Sequence, residues 1–243
     1  MGKKNTPDSK AGLPDDTLDE STTPVGGFAF FLSLLLLLPS SIVLLALALA
    51  RLGSQSVGPL LLLVVGAVIG GLITHLFLRK HLSVLLHEWK HSVVSNLVGN
   101  KRKRMRIDEH SGFFEYSYTK ETAHFNFLIA LAPYIIPVFT LVAALTIFAV
   151  QPDAHWKSVA LLGVGYGADV LMNLRDISPI QTDISLIRGG YWFGVSYIAA
   201  WNVTILALVI AWCAAGGSGL SLLLQDLSSL FFAVHPITRE LIR

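Results

Sequence analysis

Long apolar runs separated by short polar segments dominate this chain. After a polar stretch over residues 1–24, apolar residues fill roughly 25–50, 57–78, 82–99, 124–150, 155–172 and 191–215. A helix needs about 20 apolar residues to cross the hydrocarbon core of a bilayer. The runs 25–50, 57–78, 124–150 and 191–215 meet that length, and Pro39 is expected to kink the first. The run 155–172 is shorter and holds Gly163, Gly165 and Gly167, which suits a helix packed closely against its neighbours. The run 82–99 carries His87, Glu88, Lys90 and His91. Such groups are costly against lipid, so this segment must face protein or a wet cavity. The pattern predicts an all-α polytopic membrane protein with about six membrane-embedded helices.

One region departs from that pattern. Lys101, Arg102, Lys103, Arg104 and Arg106 form a basic cluster, and Met105 to Tyr118 follows with two roughly alternating arms around a Ser111-Gly112 turn. The alternation predicts a small β-hairpin. Residues 1–24, with five acidic residues among Ser, Thr and Pro, are expected to be a disordered tail. They lack the basic start of a secretory signal. The stretch 219–234 is apolar and amphipathic, as in an interfacial helix. The division is therefore a tail over 1–24, a transmembrane unit over 25–215 and an amphipathic C-terminal tail over 216–243.

Composition strengthens the membrane reading. Of 243 residues, 53% are hydrophobic and 14% charged, and the mean hydropathy is +0.62. A soluble domain carries about a quarter charged residues. The net charge of +2 gives no reason to expect a nucleic-acid partner. The only cysteine, Cys213, excludes a disulfide framework and a thiolate zinc site.

The chemistry concentrates in His87-Glu88-Trp89-Lys90-His91. Residues i and i+4 share a helix face, so two imidazoles can reach one metal. Glu88 would then sit beside the metal's open position as a general base. Zinc at such a site supplies a nucleophile at neutral pH and a Lewis acid for a carbonyl oxygen. The same spacing arises by chance on solvated helices, but here it lies in an apolar segment, where ionisable groups mark function. A third ligand is needed. Asp176 and Asp183 lie between two apolar runs; Asp169 is inside one, and His124 begins another. Three of the four have an ordinary alternative: a salt bridge for Asp176, a helix cap for Asp183, an interfacial position for His124.

From this motif onward the chain resembles the site-2 protease family of intramembrane zinc metalloproteases. Gly99 stands eight residues after His91, a β-like segment surrounds Gly112, Ala132-Pro133 falls in the next helix, and Asn173, Pro179 and Asp183 follow in order. The likeness covers about residues 82–190. It departs at Lys90, where the family commonly has Gly, and at Ile184, where Gly usually follows the aspartate. This looks like a divergent branch.

The resemblance implies hydrolysis of peptide bonds in or near transmembrane helices of membrane-protein substrates, with Zn2+ held by His87, His91 and Asp183 and with Glu88 catalytic. It implies Asn173 near the scissile carbonyl and a multi-pass location, expected to be a prokaryotic plasma membrane. Nine basic residues on the side of the 100–123 loop against eight opposite place that loop in the cytoplasm. A prenyl-protein-processing type of zincin would need a glutamate ligand, but Glu109, Glu115, Glu121 and Glu240 lie outside strongly apolar helices. The non-enzyme alternative is an inactive relative, or a metal-binding transport or scaffold protein.

Overall fold

The computed structural model describes residues 25–53, 57–78, 80–108, 112–150 and 155–241. The tail expected over 1–24, and Ser111 of the expected turn, lie outside them. The described chain is mostly helical: α1 (Phe28–Gly53), α2 (Gly58–Phe77), α3 (Lys80–Leu97), α4 (Asn126–Ile135), α5 (Val138–Val150), α6 (His155–Asp176), α7 (Thr182–Ser185), α8 (Tyr191–Ala215) and α9 (Gly217–Leu241). Between α3 and α4, β1 (Lys101–Ile107) and β2 (Gly112–Ser117) pair antiparallel, from Lys101 opposite Ser117 to Ile107 opposite Gly112. The basic cluster is therefore itself a strand, and the hairpin begins earlier than its alternation suggests.

Among the described residues three helices, α1, α2 and α8, are long and apolar enough to cross a membrane, and the bent α4–α5 pair would make a fourth if it is one span. Among their outward side chains are Leu35, Leu36, Ile42, Leu61, Val65 and Leu72, a surface that water would not tolerate. Pro39 lies inside an uninterrupted α1. Where α2 meets α6, Gly66 and Gly70 oppose Gly163 and Val164, and Gly167 lies against Ala67. A Cβ at Gly66 would come 2.6 Å from the Ala160 carbonyl oxygen, so only small residues permit this backbone approach.

The run 124–150, expected as one helix, is instead broken. A 3-10 turn (Thr122–Phe125) leads into α4, and α5 departs at 71°. The cause is chemical. The Pro133 carbonyl would accept from residue 137, but Pro137 has no N–H. The Tyr134 carbonyl loses its partner too, because Val138 N–H turns to Ile136 O at 3.1 Å. At the start of α5, Phe139 and Thr140 have no intrahelical acceptor.

Side chains from three other helices meet every one of these groups. Lys90 of α3 donates to Pro133 O at 2.8 Å. Asn173 of α6 and Asn202 of α8 donate to Tyr134 O at 2.9 and 3.1 Å. Asp169 of α6 accepts from Phe139 N–H at 3.1 Å, Thr140 N–H at 2.7 Å and the Thr140 hydroxyl at 2.8 Å. The break is thus a pinned joint between α3, α4, α5, α6 and α8.

Removing the Asp169 carboxylate should leave buried donors unmet. Asp169→Ala is expected to lower unfolding stability by roughly 2–4 kcal/mol, read by denaturant titration in detergent. Metal content per folded molecule should stay unchanged. A stability within about 0.5 kcal/mol of the parent would contradict this role.

Candidate metal centre

The i, i+4 spacing places His87 and His91 on the inner face of α3, both buried, with ring centroids 5.1 Å apart. Their Nε2 atoms converge on one oxygen, Asp183 Oδ2, at 3.0 and 3.3 Å. One ligand atom from each of the three residues fits within 4.8 Å of the others. Two nitrogens and one carboxylate oxygen suit zinc, and three protein ligands leave a position open.

The remaining ring atoms are arranged to support ligation. His91 Nδ1 lies 2.7 Å from Ile129 O. A carbonyl only accepts, so Nδ1 carries the proton and Nε2 is left for a cation. His87 Nδ1 lies 3.4 Å from Asp176 Oδ2, a carboxylate backing the imidazole from behind. Before a cation binds, these distances let protons on the imidazoles bridge to the Asp183 carboxylate. A divalent cation would take the place of those imidazole protons.

Asp183 reaches this point because the chain just beyond α7 is tied down. Beyond α7, Val25 forms a bridge: its N–H donates to Leu186 O at 2.8 Å and its carbonyl accepts from Arg188 N–H at 2.7 Å. Ile184, next to Asp183, is fully buried in an apolar cluster with Phe30, Leu131 and Tyr197.

The hairpin closes the other side. Phe114 of β2 stacks parallel to His91, with centroids 6.4 Å apart, and continues into Tyr116 at 5.7 Å. Phe114, Tyr116 and Tyr118 alternate inward and bury themselves with Ile129 of α4. Gly112, at the start of β2, lies directly on the Glu88 side chain, so a Cβ there would overlap the carboxylate. Glu88 is itself buried beside the two histidines.

Of the residues considered from sequence, the structure brings together His87, His91, Asp183 and Asp176, with Glu88 alongside. It does not bring in Asp169, which is committed to the start of α5, nor His124, which is exposed in the 3-10 turn. Asn173 is engaged elsewhere in this structure. Both protons of its amide are committed, to Tyr134 O and to Asn202 Oδ1 at 3.1 Å, so neither is free for a substrate carbonyl. Sequence reasoning missed Asp176 as a backing carboxylate, the contact of Gly112 with Glu88, and Tyr134, whose ring stands edge-on to His87 at 5.6 Å. Lys90 stood out only as a departure, and the spacing of Pro133 and Pro137 could have predicted its carbonyl partner.

The chain matches no protein-family model, no curated protein and no solved structure.

The two carboxylates should separate in a metal competition assay. Asp183→Ala is expected to abolish retention of zinc against a chelator, whereas Asp176→Ala weakens it about 10- to 100-fold. The reverse order would exchange their roles.

Proposed function

We propose that this chain is a multi-pass membrane zinc metalloendopeptidase of the site-2 protease type, cleaving within or beside transmembrane helices of other membrane proteins. One observation carries the reading: His87, His91 and Asp183 converge while a buried Glu88, the residue after the first histidine, lies beside them. Zinc bound there would supply a water nucleophile at neutral pH and a Lewis acid for the scissile carbonyl.

The chain's own residues divide the remaining work. His87 and His91 hold their donor atoms fixed through Asp176 and Ile129. Glu88 accepts the proton of the attacking water and returns it to the leaving nitrogen as the C–N bond breaks, giving a new carboxyl and a new amine. The two histidines and Glu88 are buried, so these interactions act with little screening by water.

A substrate helix has its carbonyls shielded by its own hydrogen bonds and must unwind locally before attack. The two-stranded sheet beside the site offers unpaired edges to an extended segment. In this reading α3 and α6 are embedded along with α1, α2, α8 and the bent α4–α5 pair, making about six membrane-embedded helices. The cations of β1 favour a cytoplasmic hairpin in a prokaryotic plasma membrane.

Glu88→Gln should keep bound zinc and abolish cleavage of a co-reconstituted membrane substrate; undiminished cleavage would remove Glu88 from the mechanism. Gly112→Val should likewise retain zinc but cut the rate at least tenfold, roughly the contribution of a displaced general base. A parental rate in Gly112→Val would show that β2 does not set the position of Glu88.

A further inference from the structure

Hydrolysis of an amide places negative charge on the carbonyl oxygen, and a preorganised donor aimed at that oxygen is worth far more inside a protein than in water. The residue expected to supply such a donor, Asn173, has both amide protons committed to Tyr134 O and Asn202 Oδ1. Lys90 is drawn off to the Pro133 carbonyl. The site therefore needs a different donor.

Tyr134 meets the requirements. It is 1% exposed, yet its hydroxyl is buried without a hydrogen bond of proper geometry, with Gln181 as a neighbour. A buried tyrosine hydroxyl ordinarily finds a partner. Its ring stands edge-on against His87, 5.6 Å between centroids at 89°. Its backbone carbonyl is gripped by Asn173 and Asn202 at the break between α4 and α5, so the ring is held from a rigid joint.

We propose that Tyr134 is a catalytic residue whose hydroxyl donates a hydrogen bond to the scissile carbonyl oxygen as negative charge develops on it. This rests on the protease reading. The phenolic proton stays on Tyr134 throughout; the water proton passes through Glu88 to the leaving nitrogen. The unmet hydroxyl is then a donor kept vacant for the transition state. The same joint that breaks the helix also explains why Asn173 cannot take this part.

The test compares the zinc-loaded full chain with Tyr134→Phe, which keeps the ring against His87 and removes only the hydroxyl. Three quantities are read: bound zinc, kcat and KM on a reconstituted helical substrate, and affinity for a phosphinic peptide whose charged oxygen mimics the tetrahedral state. Zinc and KM should hold, while kcat falls about a hundredfold and phosphinic affinity falls at least tenfold. Parental kcat and phosphinic affinity in Tyr134→Phe would overturn the proposal and leave the protease intact. Loss of zinc in the variant would also overturn it, making Tyr134 a support for His87. If the parent neither cleaves the substrate nor binds the phosphinic peptide, the protease reading fails and takes this one with it.

Discussion

Backbone polar groups inside a packed apolar bundle have no water to turn to, so a broken helix must find its partners among side chains. That constraint acts at Pro137. By removing one N–H it strands the Pro133 carbonyl, and the turn that follows strands the carbonyl of Tyr134 and the first donors of α5. The partners are Lys90, Asn173, Asn202 and Asp169, four buried or half-buried polar residues from α3, α6 and α8. Each is expensive to bury alone and inexpensive once paired. The joint they form fixes α4 against α3, and α3 is the helix that carries the histidines.

From that joint the site assembles in layers. His91 is set by the Ile129 carbonyl of α4, the same helix that Lys90 holds. His87 is set by Asp176 at the end of α6, seven residues beyond Asp169 in the helix that caps α5. Asp183 arrives on a short α7 whose C-terminal flank is tied to Val25. β2 covers Glu88 with a glycine and His91 with a phenylalanine ring. Lys90 and Asp169 serve the break, while Asp176 and Asp183 face the histidines of the candidate metal site. That division accounts for the concentration of ionisable residues in an otherwise apolar chain.

Much of this was legible in the sequence, for reasons that differ by residue. Apolar length exposes α1, α2 and α8 because lipid demands it, and helical period exposes the pairing of His87 with His91. The hairpin shows in alternation, although its basic arm was not recognised as a strand because charge obscured the pattern. The order of Asn173, Pro179 and Asp183 pointed to Asp183, but nothing local separated it from Asp176: both are aspartates near a helix end. Their difference lies in which imidazole atom each faces, a matter of tertiary geometry. The engagement of Asn173 with Tyr134 and Asn202 is hidden from sequence for the same reason. The bend between α4 and α5 was within reach, since two prolines four apart orphan a carbonyl by arithmetic alone. Tyr134 was not, because an aromatic residue in an apolar helix looks like core until its hydroxyl is found without a partner.

The central claim is that His87, His91 and Asp183 form a zinc site with room for a water-derived ligand. X-ray absorption at the zinc edge of the purified, detergent-solubilised chain tests it directly. The account predicts about one zinc per chain with a shell of two imidazole nitrogens and oxygen, at about 2.0–2.2 Å, and no sulfur. His87→Ala should lose that shell. A chain that retains no zinc, or one whose zinc shell is unchanged in His87→Ala, would contradict it.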